Sequence, residues 1–137
     1  MDFEIPIFKF QFSNSKLQDM NKKELEDRTK TFALHTIRFV SSLPKSKAMD
    51  VLGRQLLRSA TSIGANYREA NRAESHNDFV HKLAIVEKEA AETQYWLELV
   101  NEAGAADKTE CQRLLQECTE LLAIFTAAGK TTKARQR

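Results

Sequence analysis

The chain has 137 residues, of which 42% are hydrophobic and 29% are charged, and it contains only four glycines and two prolines. This length fits one domain, and the scarcity of Gly and Pro excludes turn-rich sandwiches and barrels. The 21 basic and 19 acidic residues give a net charge of +2, which is too small to indicate nucleic-acid binding by itself.

Residues 1–23 differ in pattern from the rest of the chain. Phe8, Phe10 and Phe12 alternate with polar residues, and this period of two is typical of a strand. A single strand is not stable by itself. We therefore expect residues 1–23 to form a flexible or partner-docked N-terminal arm and linker.

The start of the chain and its cysteine content predict a cytoplasmic location. Asp2 and Glu4 stand where a signal peptide would carry positive charge. The two cysteines suit a reducing compartment. No apolar run approaches the roughly 18–20 residues that span a bilayer, so we expect no membrane association.

Helical periodicity begins at Glu24 and defines the first two helices. In the first, Leu25, Phe32 and Phe39 recur at heptad spacing, with Ile37 and Val40 broadening the stripe. The prolyl bond after Leu43 ends this helix. The second helix is predicted from about residue 46 to about residue 73, and its apolar residues step by three or four: Leu52, Leu56, Ala60, Ile63 and Tyr67.

Capping pairs mark the beginnings of two further helices. Ser75 with Asp78 and Asp107 with Glu110 have the spacing of N-terminal capping boxes. Glycines are predicted to end these helices, at Gly104 and Gly129. The apolar residues of the fourth helix follow a heptad seam: Cys111, Leu115, Cys118, Leu122 and Phe125.

Four amphipathic helices with short connections favour antiparallel neighbours. We therefore predict an all-α fold, an antiparallel up-down four-helix bundle over residues 24–128. Residues 129–137 follow as a basic C-terminal tail.

Four arginines of the second helix form a lane opposite its apolar stripe. They fall on one face at about 100° per residue: Arg54, Arg58, Arg68 and Arg72. Guanidinium groups suit phosphate oxygens, so the lane is a candidate nucleic-acid surface. A simple solvated helix face is the alternative interpretation.

Between the lane and the core runs a polar stripe of Ser62, Asn66 and Glu69. It could bind a ligand, but a hydrogen-bonded network against a neighbouring helix is the favoured interpretation. Small residues surround Gly64, so another backbone can approach the helix closely there.

The third helix has more apolar surface than one bundle core requires. Ile85, Trp96 and Leu99 project away from its main stripe, and such a patch with an aromatic anchor is typical of subunit contacts. The alternative is a broad core-facing stripe in a monomer. We favour a homo-oligomer joined through these residues.

No catalytic or metal-binding pattern is present in the sequence. The glycines stand singly, so there is no phosphate-binding loop, and the Glu-x-x-His motif of di-iron bundles does not occur. Cys111 and Cys118 occupy seam positions and are expected to be buried, inert thiols. The chain is predicted to be no enzyme and to use no metal and no cofactor.

The second helix carries a motif that resembles a known family. The run Arg58-x-Ala60-x-Ser62-Ile63-x-x-Asn66-x-x-Glu69 is similar to that of a bacterial four-helix bundle family, the proteins encoded in intervening sequences of large-subunit ribosomal RNA genes. The resemblance extends over about residues 28–126, through Glu92-Thr93-x-Tyr95-Trp96-Leu97. The family's glycine after Glu69 is replaced by Ala70 here.

This resemblance implies a bundle that assembles into a ring, typically a homopentamer. A related accessory protein of diversity-generating retroelements forms such a ring and binds nucleic acid and a reverse transcriptase. The resemblance therefore favours a non-enzymatic accessory ring that contacts RNA or DNA through the four arginines, and it leaves the polar stripe structural. The alternative is a protein–protein interaction scaffold that binds no nucleic acid.

Overall fold

The computed structural model describes residues 20–135 and folds them into four helices. Helix α1 spans Lys22–Ser41, α2 spans Lys47–Ala70, α3 spans His76–Ala103 and α4 spans Lys108–Ala134. Since residues 20–135 contain no strand, the all-α prediction is confirmed. The Phe-rich part of the predicted arm lies outside the described residues.

Each helix begins at a residue whose side chain accepts a hydrogen bond from a backbone N–H three residues later. Ser75 accepts from Asp78 at 3.1 Å, and Asp107 accepts from Glu110 at 2.9 Å, so both predicted caps are confirmed. These bonds satisfy N–H groups that have no partner within the helix. The same bond begins α1 and α2, at Asn21 and Ser46.

The four helices pack in a closed cycle. Helix α1 lies beside α2 and α4, and α3 lies beside the same two helices. Because short connections make consecutive helices antiparallel, α1 and α3 occupy opposite corners and run in the same direction. This is the predicted up-down bundle.

The core consists of side chains that recur every three or four residues along each helix. The largest are less than 2% exposed, among them Phe32, Leu56, Ile63, Leu97 and Phe125. Burial of one such side chain contributes about 1.5–3 kcal/mol to the stability of the fold. Side chains from all four helices therefore contribute to one core that stabilises the bundle.

The apolar stripe of α1 is narrower than predicted. Its heptad residues Leu25, Phe32 and Phe39 are buried as expected, whereas Ile37 is 42% exposed. Thr29 and Thr36 take the inward positions between these residues, and the hydroxyl of each donates a hydrogen bond to a backbone carbonyl of α1. These satisfied hydroxyls are tolerated in the core, so Ile37 is not needed there.

The ends of α2 and α3 are set by their last turns. Helix α2 ends at Ala70, with Asn71 as its C-cap, and so is shorter than the prediction that reached Ala73. Helix α3 ends at Ala103, with Gly104 as its C-cap, and the φ of 73° at Gly104 is left-handed. Glycine adopts this conformation without steric cost, so the predicted end of α3 is confirmed.

The predicted end of α4 at Gly129 is wrong. The helix continues to Ala134, so the first part of the predicted basic tail lies on its last turns. A glycine inside a helix costs roughly 1 kcal/mol relative to Ala, and tertiary packing offsets this cost. Thr132 is buried, and its carbonyl oxygen lies 3.2 Å from Nε2 of His76 on α3.

Candidate nucleic-acid interface

The four predicted arginines are all exposed on the outer side of α2. Three lie within the helix, and Arg72 follows its C-cap residue Asn71. The residues that α2 turns toward the core, such as Leu56 and Ile63, are completely buried. The arginines therefore stand opposite the core, but they do not share one environment.

Arg58 differs from the other three because it contacts helix α3. Its guanidinium lies 3.3 Å from a carboxylate oxygen of Glu89 and 2.8 Å from one of Glu92. The Glu89 side chain is only 11% exposed, so Arg58 compensates a carboxylate that would otherwise be largely buried and unpaired. Arg58 is exposed, as the other three arginines are, but its long side chain also reaches across the α2–α3 seam to these two glutamates.

Arg54, Arg68 and Arg72 remain on the outer face and form no salt bridge within residues 20–135. Arg68 lies near α1, where its charge contributes to a lowered pKa of the Asp27 carboxyl, after the larger effect of the hydrogen bond from Lys23. The outer face thus keeps three guanidinium groups that can contact solvent.

One further basic residue of this face was not among those predicted. Lys47 is exposed and lies one heptad before Arg54, which places it on the same side of α2. Asp50 lies between them and is also exposed. We define the α2 lane as Lys47, Arg54, Arg68 and Arg72. It extends for about 32 Å from Lys47 to Arg68 at 1.5 Å per residue.

Two residues of the predicted polar stripe form hydrogen bonds within α2, and the third, Glu69, is exposed. The Ser62 hydroxyl donates to the carbonyl of Arg58, and the Asn66 amide donates to the carbonyl of Ser62. The buried contact to the neighbouring helix comes from Ser59, whose Oγ accepts a hydrogen bond from Thr93 at 2.9 Å. The network between helices is therefore displaced from the predicted stripe.

Gly64 is a point of close approach between α1 and α2. A Cβ at this position would lie 3.1 Å from Oγ1 and 3.3 Å from Cβ of Thr29. These distances are shorter than ordinary van der Waals contact. The predicted close approach is present, and α1 is the helix that makes it.

The predicted oligomer face on α3 is half-buried within one chain. Ile85, Trp96 and Leu99 are all partly covered, and Trp96 packs against the core. Within residues 20–135, the most exposed aromatic side chain is the neighbouring Tyr95, which is 53% exposed and contacts Trp96 edge-on at a centroid distance of 5.2 Å. The exposed centre of this surface is therefore Tyr95.

Both cysteines are buried, as predicted, and neither forms a disulfide. Burial raises the pKa of the Cys111 thiol and, more strongly, that of the Cys118 thiol. Their thiolates are consequently disfavoured, and both side chains serve as core residues. No group of three or more His, Cys, Asp or Glu side chains within residues 20–135 is placed to hold a metal ion.

In the described part of the chain, every helix is too short or too polar to cross a membrane.

Comparisons with known proteins agree with this architecture. A family model described as 23S rRNA-intervening sequence protein matches residues 21–127. The chain is also similar to a protein of unknown function from the S23 ribosomal protein family of Bacteroides thetaiotaomicron, at 35% identity and a TM-score of 0.74. That match covers 81% of this chain and 99% of the other. No curated protein matches the chain.

Proposed function

Since the chain belongs to the 23S rRNA-intervening sequence protein family, we propose that it is a cytoplasmic, non-enzymatic accessory protein that binds nucleic acid. The binding surface is the α2 lane. The protein acts as a homo-oligomer, a pentameric ring, whose contacts involve the α3 surface around Ile85, Trp96 and Leu99. Its partner class is RNA or DNA together with an enzyme that processes nucleic acid, such as a reverse transcriptase.

The exposure of Arg54, Arg68 and Arg72 on one face, outside any salt bridge of the described chain, carries the proposal. Their planar guanidinium groups can each donate two hydrogen bonds to phosphate oxygens. Such contacts position a protein on the nucleic-acid backbone without reading the base sequence. We therefore expect binding that tolerates sequence changes and weakens steeply with salt.

The test compares the wild type with the Arg54→Ala, Arg68→Ala, Arg72→Ala variant on a structured RNA and a duplex DNA across a salt series. Each lost phosphate contact should lower the salt slope by roughly one unit. Arg58 stays unchanged in this variant. Its removal would leave the largely buried Glu89 carboxylate without this partner, so a loss of stability could be mistaken for a loss of binding.

A charge-matched control separates the α2 lane from net charge. The variant Lys108→Ala, Arg113→Ala, Lys130→Ala removes three exposed positive charges from α4 and should keep the wild-type salt slope. Equal losses in both triple variants would reject the α2 lane as the site. If the wild type binds neither nucleic acid at low salt, nucleic-acid binding is excluded and the protein scaffold becomes the supported function.

A further inference from the structure

Four large apolar side chains are exposed within residues 20–135, and three of them lie at two opposite corners of the bundle; the fourth, Val51 on α2, is 50% exposed. Leu34 and Ile37 on α1 are 43% and 42% exposed, and Tyr95 on α3 is 53% exposed. Leu34 and Ile37 are three residues apart, so they are neighbours on the helix surface. Leu99 borders Tyr95 in the same way, one turn further along α3, and is half-buried. We call these two surfaces the α1 patch and the α3 patch.

The two patches face away from each other, because α1 and α3 each lie between α2 and α4. A two-fold dimer that pairs identical patches would cover one of them and leave the other in water. A head-to-tail contact joins an α1 patch to the α3 patch of a second copy, and every interior copy then covers both. Burial of apolar surface therefore favours the head-to-tail arrangement.

Charges beside the patches favour the same pairing. Arg38 is exposed one turn after Leu34, and Glu98 and Glu102 are exposed in the turns after Tyr95. None of these three side chains is in a salt bridge within residues 20–135. An α1–α3 contact would place opposite charges together, whereas α1–α1 and α3–α3 contacts would bring like charges together.

The register of the two patches agrees with this pairing. Helices α1 and α3 run in the same direction, so copies arranged around an axis along the bundle would present them in parallel. If Leu34 lies opposite Tyr95, Asp27 lies opposite Lys88, since each is seven residues earlier. Both are exposed and of opposite sign. Asp27 also pairs with Lys23 of its own helix at 2.7 Å, so Lys88 would be a second cation beside this carboxylate.

We infer that a second copy of this chain docks its α3 patch on the α1 patch, in a head-to-tail contact that repeats through the assembly. This inference rests on the homo-oligomer of the proposed function and specifies the two surfaces that build it. It moves the main anchor of the α3 surface from Trp96, which packs on the core, to Tyr95.

Site-specific crosslinking tests the contact in the full-length protein. The variants are Leu34→Cys, Tyr95→Cys and the double variant, each treated with a short bismaleimide. The native cysteines are buried, so the treated wild type reports the background. A head-to-tail contact leaves each single variant uncrosslinked, joins an equal mixture of the two into dimers, and gives the double variant a ladder whose highest band counts the subunits.

The control double variant Leu34→Cys, Gln112→Cys carries its second thiol on an exposed position of α4 and should give no ladder. Dimers of Leu34→Cys alone or Tyr95→Cys alone would indicate a contact between identical patches and overturn the inference. So would the absence of a ladder from a double variant that sediments as an oligomer, in which case the homo-oligomer stands. A wild type that sediments as a monomer would instead reject the homo-oligomer itself.

Discussion

At the scale of single residues, two glycines of similar helical setting should respond in opposite ways to alanine. Both Oγ1 and Cβ of Thr29 lie within 3.4 Å of the position that an alanine methyl at Gly64 would take. Thr29 is completely buried, and its hydroxyl is held by the carbonyls of Leu25 and Glu26. It cannot rotate away without losing these bonds. The contact should therefore outweigh the gain in helix propensity.

We expect Gly64→Ala to lower the free energy of unfolding by about 1 kcal/mol, within the range that overpacking costs. Gly129→Ala is the matched control, because its nearest contact is the flexible end of Glu87 at 3.5 Å. That variant should gain about 0.5–1 kcal/mol of stability. Urea unfolding followed by circular dichroism measures both, and equal stabilisation by the two substitutions would contradict this account.

Residue identity and spacing predicted that the arginines of α2 lie outside the core, but not what they contact there. The helical period places Arg54, Arg58 and Arg68 opposite Leu56, and all three are exposed. Only the packing of α3 beside α2 shows that Glu89 and Glu92 reach Arg58. The helical period shows toward which side of one helix a side chain points. A salt bridge between two helices depends in addition on how the two helices are positioned along each other.

At the scale of helices, a half-buried cation bridges α1 and α4. Arg28 of α1 makes two hydrogen bonds of 2.8 Å to Glu117 and one of 2.7 Å to Glu120, both on α4. Its side chain is 20% exposed. Burial by itself lowers the pKa of the guanidinium, but the hydrogen bonds and charges of the two carboxylates have the larger combined effect, so the pKa is raised. These two glutamates are three residues apart on α4, and their carboxylates would repel each other without the Arg28 guanidinium.

Arg28→Ala should lower the free energy of unfolding by roughly 1–3 kcal/mol, the range for hydrogen bonds to charged groups that lose one partner. Arg113→Ala is the control, since Arg113 pairs with Glu110 within the same helix and is well exposed. Pairs of that kind contribute little, so its unfolding midpoint in urea should stay at the wild-type value. Equal midpoints for the two variants would show that the Arg28 contacts do not hold the seam.

Helix beginnings were predicted more successfully than helix ends, for a local reason. The caps at Ser75 and Asp107 need only a side-chain oxygen and a backbone N–H three residues later. The end of α4 depends instead on contacts with α3 near Thr132. The residues next to Gly129 do not reveal this contact. The local sequence therefore predicts that the helix ends there, whereas packing against α3 lets it continue to Ala134.

At the scale of the whole molecule, the α1–α3 contact and the α2 lane are compatible. A head-to-tail assembly uses the corners formed by α1 and α3, and it leaves the outer faces of α2 and α4 uncovered. Each copy then adds one α2 lane to the surface of the particle. A small net charge of +2 per chain can therefore coexist with a repeated basic surface, and several lanes on one particle should bind a long nucleic acid together.

Assembly should consequently strengthen binding only where the nucleic acid is long enough to reach several lanes. The variant Leu34→Gln, Ile37→Gln removes the α1 patch without changing charge and should be a folded monomer with an intact α2 lane. On a duplex of about 12 base pairs, near one helical turn, both proteins should bind equally per subunit. On a duplex of several turns the wild type should bind at least about tenfold more tightly and with a steeper salt slope. Equal affinities on the long duplex would show that the lanes act singly.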